Sequence, residues 1–202
     1  MRSFSNRYIV LYAAALVAVA ALLLTVVSVS LQPRQQHNRQ LETQRMILKA
    51  AGIDATPADA GRLYAAHIRE VRLLEQDSLT AWMYGTSCIL PVRGNGLWGP
   101  IWGYICFDRD WTVTGAVFDH QGETPGLGGE IATEAFARRF IGKSCTDTSY
   151  TRFVPIVLTK HADPASRHEV DAISGGTMTS NGVTAMLRDC LSKYQDCMLH
   201  ER

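Results

Sequence analysis

The chain has 202 residues, of which 47% are hydrophobic and 19% are charged. This composition excludes a disordered polar chain, which would lack the apolar residues needed for a core. The 20 Lys and Arg residues nearly balance the 19 Asp and Glu residues, which leaves a net charge of +1. A general nucleic-acid binder carries a strong basic excess, so the charge balance predicts no nucleic-acid partner.

The N-terminal 33 residues have the pattern of a membrane anchor. The apolar stretch Ile9–Leu31 is 23 residues long, and no charged residue occurs from Tyr8 to Pro33. A helix of that length spans about 34 Å, enough for a hydrocarbon core of about 30 Å. A cleaved signal peptide is the alternative, but its apolar region normally has only about 7–15 residues. We therefore predict one transmembrane helix in residues 1–33, whose flanking charges do not decide its orientation.

Helical patterns continue after the anchor. Gln35–Ala51 predicts a juxtamembrane helix that ends at Gly52. Thr56 and Pro57 have the residue types of an N-cap and a first helical position, and apolar residues at helical spacing follow to about Gln76. Residues 34–78 are therefore predicted to form a helical segment between the anchor and the main domain.

From Leu79 the pattern changes to short apolar runs separated by Gly, Asp and Asn, which predicts strands. The expected fold class is α+β: a mostly antiparallel sheet flanked by helices, over residues 79–202. Asp108-Arg109-Asp110 is predicted to join two strands as a hairpin, and the C-terminal helix is expected to include Val183 and Tyr194. The other predicted elements are the strands Leu79–Tyr84, Cys88–Val92, Ile101–Phe107, Trp111–Phe118 and Phe153–Thr159, and the short helix Thr133–Phe140.

Three glycine-rich loops interrupt this pattern. Residues 94–99 read GNGLWG, but Pro100 and a strand-like run follow where a dinucleotide-binding fold requires a helix. Residues 122–130 read GETPGLGGE, which suits either close approach of a ligand or a plain surface loop. Residues 174–182 read SGGTMTSNG and precede the last helix, so backbone N–H groups there favour a phosphate. The alternative for this third loop is simple helix capping by Thr179 or Ser180.

Neither a metal site nor a catalytic group is predicted. The His, Asp and Glu residues have no spacing typical of metal ligands, and Gly-x-Ser-x-Gly is absent around Ser174. No CxxC pattern occurs, and most of the cysteines are interpreted as small buried residues; they are Cys88, Cys106, Cys145, Cys190 and Cys197.

Taken together, the three loops resemble one known family. Gly-Leu-Trp at 96–98, Glu-Thr-Pro-Gly-Leu-Gly-Gly-Glu at 123–130 and Asp-x-x-Ser-Gly-Gly-Thr-Met-Thr-Ser-Asn-Gly-Val at 171–183 resemble the C-type subunit of the sodium-translocating NADH:quinone reductase. The last motif is similar to the Ser-Gly-Ala-Thr-x-Thr sequence at which a flavin transferase joins FMN to the final threonine through a phosphoester. Gly176 stands where the family usually has alanine, while both threonines are kept.

The resemblance implies an FMN-binding domain with FMN attached covalently to Thr179 as a phosphoester. A flat, largely apolar ring needs stacking surfaces. By resemblance, Trp98 and Leu127 flank the ring, and Thr124 and Gly126 line its edge. The other residues that the resemblance assigns to cofactor binding are Ser174, Gly175, Gly176 and Thr177.

The resemblance also implies the protein's role and location. The chain would be one subunit of an oxidoreductase, not catalytic alone, that relays electrons between redox centres of sister subunits. Its partners would be the other subunits, a flavin transferase and the lipid bilayer. It would lie in the bacterial inner membrane as a single-pass protein, with the flavin domain on the periplasmic side.

Two alternatives stay open on the sequence. One is the related G-type flavin subunit of the Rnf complex, which differs mainly in its complex and is separated by the partners recovered in mild detergent. The other is a membrane-anchored module that binds a phosphate-bearing ligand reversibly. Flavin that survives denaturation would exclude this second alternative.

Overall fold

A computed structural model of the chain describes residues 5–74 and 79–196. The chain divides into two compact units, Met1–Glu42 and Thr43–Arg202. The helices are α1 (Asn6–Ala50), α2 (Ala60–His67), α3 (Glu134–Arg138) and α4 (Thr177–Leu191). The strands are β1 (Arg69–Leu74), β2 (Leu79–Tyr84), β3 (Ser87–Asn95), β4 (Pro100–Phe107), β5 (Val113–His120), β6 (Val157–Thr159) and β7 (Glu169–Asp171).

The first unit is built from the N-terminal part of α1. Within the described residues, α1 is the one helix long and apolar enough to cross a membrane. The large apolar side chains of its N-terminal part, from Tyr8 to Leu31, are exposed, as contact with lipid tails requires. The prediction that the anchor and the juxtamembrane segment form two separate helices was wrong, because the single helix α1 continues through Pro33. Proline has a φ angle compatible with a helix, so at this point it removes a hydrogen bond without ending α1.

The helix predicted from Thr56 to about Gln76 exists but is shorter, because α2 covers only Ala60–His67. α2 begins at Ala60 after the N-cap Asp59, whose carboxylate accepts a hydrogen bond from the backbone N–H of Thr56. The backbone becomes extended at Ile68, and β1 then pairs with β2. Pairing with a neighbouring strand overrides the helical spacing of the apolar residues. Gln76 itself lies outside the described residues.

The second unit contains a five-stranded antiparallel sheet in the order β1-β2-β3-β4-β5. β2 has the predicted bounds, β3 and β4 extend beyond their predicted bounds, and β5 begins at Val113 instead of Trp111.

The predicted hairpin is confirmed: the Asp108 carboxylate accepts hydrogen bonds from the N–H groups of Asp110 and Thr112, each at 2.9 Å. β6 and β7 form a parallel pair, and β6 is shorter than predicted because Pro155 has no N–H to donate.

Side chains alternate along the strands and create a core on each face of the sheet. One core contains Leu90 and Ile105 and is covered by α3 and α4. The other contains Ile89 and Cys106 and packs against the last turn of α1, including the buried Ile47. The α+β class with helices flanking an antiparallel sheet is therefore confirmed.

Two glycines let α4 lie directly on β3. A Cβ atom at Gly94 would lie 2.7 Å from the Cβ of Met186, and one at Gly182 would collide with the backbone carbonyl of Asn95. A side chain at either position would push the helix away from the strand. The close contact brings the start of α4 beside the loop that follows β3.

The cysteines fit their predicted structural role in part. Cys106 and Cys145 are buried, whereas Cys88 and Cys190 are half-buried, and Cys197 lies outside the described residues. Burial raises the pKa of the Cys145 thiol to about 12, so this thiol stays protonated and unreactive at neutral pH.

The aromatic cluster of Phe118, Phe136 and Phe140 should make a large contribution to stability. Its ring centroids are 4.9–5.6 Å apart, and Phe140 is fully buried. Phe140→Ala should lower the free energy of unfolding by about 3–5 kcal/mol, because it leaves a cavity. The neighbouring Ile141 is 53% exposed, and Ile141→Ala should change it by no more than about 0.5 kcal/mol. Urea denaturation of the detergent-solubilised protein measures both; equal effects would contradict the described core.

Candidate functional site

Three segments of the second unit converge at one end of the sheet. They are the loop Gly96–Gly99 between β3 and β4, the segment Gln121–Gly128 after β5, and the start of α4. The first loop is a tight turn closed by a hydrogen bond of 2.8 Å from the N–H of Gly96 to the carbonyl of Gly99. The second segment is joined to the first residue of β4 by a bond of 2.9 Å from the N–H of Gln121 to the carbonyl of Pro100.

A buried carboxylate connects all three segments. Glu123 is only 4% exposed. Its Oε1 accepts a hydrogen bond of 2.8 Å from the backbone N–H of Trp98, and its Oε2 accepts one of 2.6 Å from the hydroxyl of Thr179. Its own N–H donates to Nδ1 of His120 at 3.2 Å. One side chain therefore fixes the spacing of the two loops and the first turn of α4.

Glycines surround this carboxylate where a side chain would not fit. A Cβ at Gly96 would collide with Oε1 of Glu123, and a Cβ at Gly128 would collide with both Oε2 of Glu123 and Oγ1 of Thr179. The buried Gly128 thus packs directly against both oxygens and closes this side of the threonine hydroxyl.

Hydrogen bonds keep the Glu123 carboxyl ionised. Burial alone would raise its pKa, but the Thr179 hydroxyl and the backbone N–H groups of Trp98, Leu97 and Gly99 outweigh burial and hold the pKa below its ordinary value. The carboxylate is therefore a hydrogen-bond acceptor at neutral pH.

A narrow cleft of about 150 Å³ is lined by Glu123 and by the first residues of α4, Thr177, Met178 and Thr179. Large apolar side chains on its rim are unusually exposed: Trp98 is 69% exposed, Met178 59%, Leu97 50% and Leu127 42%. Exposed apolar side chains gathered at one site indicate a binding surface. The cleft thus combines a polar floor with an apolar rim.

The cleft brings together most of the residues singled out in the sequence. Trp98, Thr124, Leu127, Gly175, Gly176, Thr177 and Thr179 all line it. Gly126 is an exposed neighbour with a φ of +73°, and Ser174 is exposed outside the lining.

The alternative prediction, that Thr179 or Ser180 caps the last helix, was wrong: the N-cap of α4 is Gly176, without a side-chain cap. The Thr179 hydroxyl donates instead to Glu123, and the Ser180 hydroxyl accepts from the N–H of Ile173.

Sequence reasoning missed the central residue, Glu123, as well as Gly128 and Met178 in the cleft. Glu123 begins the Glu-Thr-Pro-Gly motif, so the signal was present, but its contact with Thr179 joins residues 56 positions apart.

A second cavity, of about 770 Å³, lies between β5 and α3 and is lined by none of the predicted site residues. Within 5–74 and 79–196, no group of three or more His, Cys, Asp or Glu residues could hold a metal ion.

Comparison with known proteins identifies the family. A family model described as an FMN-binding domain matches residues 96–192, which include most of the three loops. The C-type subunit of the Na⁺-translocating NADH-quinone reductase, NqrC, from Vibrio vulnificus is 31% identical, with 82% of each chain aligned. The chain belongs to the NqrC family. A second relative with the same name, from Neisseria meningitidis, is 27% identical over 90% of this chain and 87% of its own.

Solved structures agree with membership of the NqrC family. The crystal structure of the C-type subunit from Parabacteroides distasonis has a TM-score of 0.75 and 31% identity, and the match covers 85% of this chain and 98% of that one. NqrC from Shewanella oneidensis has a TM-score of 0.65 at 20% identity, with coverage of 78% and 96%, and at this identity it supports the fold alone. The resemblance stated from the motifs is thus confirmed.

The stability of this NqrC relative should depend on pH through Glu123. Its pKa in the folded state lies below the ordinary value of 4.5, so its stabilising contribution is present at neutral pH and is lost as the pH falls through the folded-state value. The free-energy difference between the wild type and Glu123→Gln should therefore shrink as the pH falls below about 4.5, and it should be smaller at about pH 3 than at about pH 7.

Urea denaturation at both pH values measures this difference. Glu134→Gln is the matched control, because Glu134 is 60% exposed and pairs only at the surface with Arg138. A wild-type advantage over Glu123→Gln that does not change with pH would contradict the lowered pKa.

Proposed function

We propose that this NqrC relative carries FMN covalently as a phosphoester of Thr179 and relays electrons between redox centres of sister subunits in a Na⁺-translocating NADH-quinone reductase. The observation that carries the proposal is the position of Thr179, which lines a cleft with an apolar rim at the start of α4. FMN, when bound, supplies one-electron redox chemistry, while the protein positions it and tunes its potential.

The start of α4 suits a phosphodiester. Thr179 is the third residue of the helix, where backbone N–H groups lack partners within the helix and the helix dipole favours negative charge. Gly175 and Gly176 precede it and line the same cleft. At Gly176 a Cβ would lie 2.9 Å from a side-chain atom of Ile173, so this tight turn has no room for the alanine that the family usually carries unless Ile173 shifts.

The rim of the cleft suits a flat aromatic ring. Trp98 and Leu127 line the cleft on different loops, and both are exposed enough to give up apolar surface on contact. Stacking on an exposed indole stabilises a ring beyond the burial of area alone, by about 0.5–1.5 kcal/mol. Thr124 and Thr177 add hydroxyl groups at the cleft that could bond to the polar edge of the ring.

The carboxylate of Glu123 argues against a reversible phosphate ligand. A free phosphate that enters the cleft would meet this negative charge beside the Thr179 hydroxyl. Like charges in a buried site repel strongly, since little water screens them. Covalent attachment avoids the loss of the ligand that such repulsion would cause.

Membrane location follows as part of the same proposal. The apolar, exposed N-terminal part of α1 would anchor the chain in the inner membrane, with the second unit on the periplasmic side. A flavin transferase would attach the FMN, and the other subunits of the complex would provide the electron donor and acceptor. Covalent attachment would keep the cofactor in place on a side of the membrane where it could not be replaced from a cytoplasmic flavin pool.

Thr179→Ala tests the attachment. The variant should lose the mass of one FMN less one water and the fluorescence of the denatured band, because the acceptor oxygen is gone. Intact mass and denaturing-gel fluorescence measure this after co-expression with a flavin transferase, and the quinone reductase activity of the assembled complex should fall to background. Thr148→Ala, at an exposed threonine outside the cleft, is the control and should keep both signals. Flavin retained by Thr179→Ala would refute the attachment site.

Trp98→Ala tests the ring site. The variant should keep the covalent link, since Trp98 bonds to Glu123 through its backbone N–H, which the substitution retains. Loss of stacking should shift the absorbance and reduction potential of the flavin. Spectra and redox titration of the purified protein measure this. Ile141→Ala, which removes an exposed apolar side chain away from the cleft, should leave both unchanged. An unchanged Trp98→Ala spectrum would limit Trp98 to a role in the turn.

A further inference from the structure

The two edge strands of the five-stranded sheet differ in charge. β1, at one edge, carries Arg69, Glu70 and Arg72 among its six residues. β5, at the other edge, has no charged residue and no proline before Asp119. Charges and prolines on an edge strand prevent other strands from pairing with it. The sequence of β1 therefore protects its edge, whereas residues 113–118 of β5 carry no such protection.

The hydrogen bonds between β4 and β5 show which backbone groups of β5 face outward. The N–H of Gln121 donates to the carbonyl of Pro100. In an antiparallel pair, residues bonded to the partner alternate with residues whose N–H and C=O groups point away. In the register of the two strands, Ala116 and Phe118 therefore direct their N–H and C=O groups away from β4. In the described part of the chain, no other strand pairs with these groups.

The first residue of β5 already has a partner on this outer side. The N–H of Val113 donates to the carbonyl of Lys143 at 2.8 Å, and the N–H of Gly142 donates to the carbonyl of Val113 at 2.9 Å. The neighbouring bridge between Thr112 and Ser144 is antiparallel. The outer edge of β5 is thus accessible to an antiparallel segment, and the chain's own pairing covers only its first residue.

The rest of this edge lies between two walls. α3 covers the face of Phe118, whose ring contacts the ring of Phe136. The end of α1 covers the opposite face, where a Cβ at Gly115 would collide with the carbonyl of Ala50. The cavity of about 770 Å³ follows residues 114–118 between these walls. We call it the β5 groove.

The walls of the β5 groove restrict what can bind in it. A strand at its floor has a wall on each face, so a single extended segment fits, whereas the edge of a second folded sheet would bring its own covering elements against the walls. The wall charges cancel, because Glu134 pairs with Arg138 and because Lys49 and Asp54 contribute one charge of each sign. An uncharged segment complements these walls.

We propose that the β5 groove binds an extended, uncharged segment of a sister subunit, which adds a sixth strand to the sheet. The segment pairs with the backbone of Ala116 and Phe118. Its side chains alternate, so one set packs against the apolar Ala137 and Ile141 and the other set faces the opposite wall. Main-chain hydrogen bonds provide affinity in this mode of binding, and the side-chain contacts provide specificity.

This inference rests on the proposed membership in a multi-subunit reductase, but it does not depend on where FMN is attached. β5 leads directly into the segment that carries Glu123 and Leu127, which line the candidate cleft. A sister subunit bound along β5 is therefore held beside the cleft. Docking at this edge positions the cleft for electron transfer without covering its rim.

Hydrogen exchange of single backbone amides tests the pairing. The full-length chain is measured in detergent, first alone and then in the purified complex with the other subunits. The amides of Ala116 and Phe118 should exchange at least about tenfold more slowly in the complex, because pairing protects them. The amide of Val113 is the control and should change little, because Lys143 already accepts its hydrogen bond in the chain alone.

Two variants test the groove. Ala116→Pro removes an outward N–H and leaves the bonds to β4 intact. Ala132→Asp places a charge on the wall, and burying that charge against the bound segment is unfavourable. Each should raise by about tenfold the concentration at which the chain dissociates from the complex, as followed by size-exclusion chromatography. Ala135→Asp, at an exposed position of α3 outside the groove, is the matched control and should assemble like the wild type.

Cross-linking identifies the occupant. A photoreactive amino acid in place of Ala132 should cross-link to one segment of a sister subunit, and the same group in place of Ala135 should not. Circular dichroism of each variant should match the wild type, since both side chains are exposed.

The results separate this inference from the proposed function. Unchanged exchange at Ala116 and Phe118 in the intact complex would overturn the docking site and leave membership of the complex standing. Equal dissociation of Ala132→Asp and Ala135→Asp would do the same. A cross-link to a second copy of this chain, or to lipid alone, would overturn the sister subunit as occupant. A wild-type chain that purifies without any other subunit would instead refute the proposed function, and this inference with it.

Discussion

The hydrogen bonds of the Glu123 carboxylate are the constraint on which the site depends. They join a turn after β3, a segment after β5 and the first turn of α4, three parts of the chain that lie far apart in the sequence. A buried carboxylate is stable only when its oxygens have donors, so the loops must close around it. The glycines at 96 and 128 follow from this, because each stands where a side chain would displace the carboxylate.

The order of the strands in the sheet brings the segments of the site together. β3, β4 and β5 are neighbours, so the loops that leave them on the same side lie next to one another. α4 approaches β3 closely at Gly94 and Gly182, which brings the start of the helix to the same edge. The core around Leu90 and Leu187 then fixes α4 against the sheet. The packing of α4 against β3 thus forms the cleft, and the residues that line the cleft lie far apart in the sequence.

Much of the fold could be predicted because its signals are local. The strands from Leu79 onward alternate clearly, and Asp108 caps its own hairpin through bonds to Asp110 and Thr112. β1 was missed because its residues also fit helical spacing, and only pairing with β2 decides between the two. The same limit applies to the site. The motif around Thr179 was visible, but the partner of its hydroxyl is set by tertiary packing, which no local pattern records.

The exposed rim of the cleft has a consequence for the maturation of the protein. Leu97, Trp98, Leu127 and Met178 present apolar surface to water in the chain without its cofactor. Such a surface attracts other apolar surfaces, including those of unfolded neighbours and of chaperones or proteases that recognise them. A ring stacked on the rim would cover it. Chains without the cofactor would then expose more apolar surface than mature chains. Quality-control proteins that bind exposed apolar surface would remove the chains without cofactor, and no receptor for the flavin would be needed.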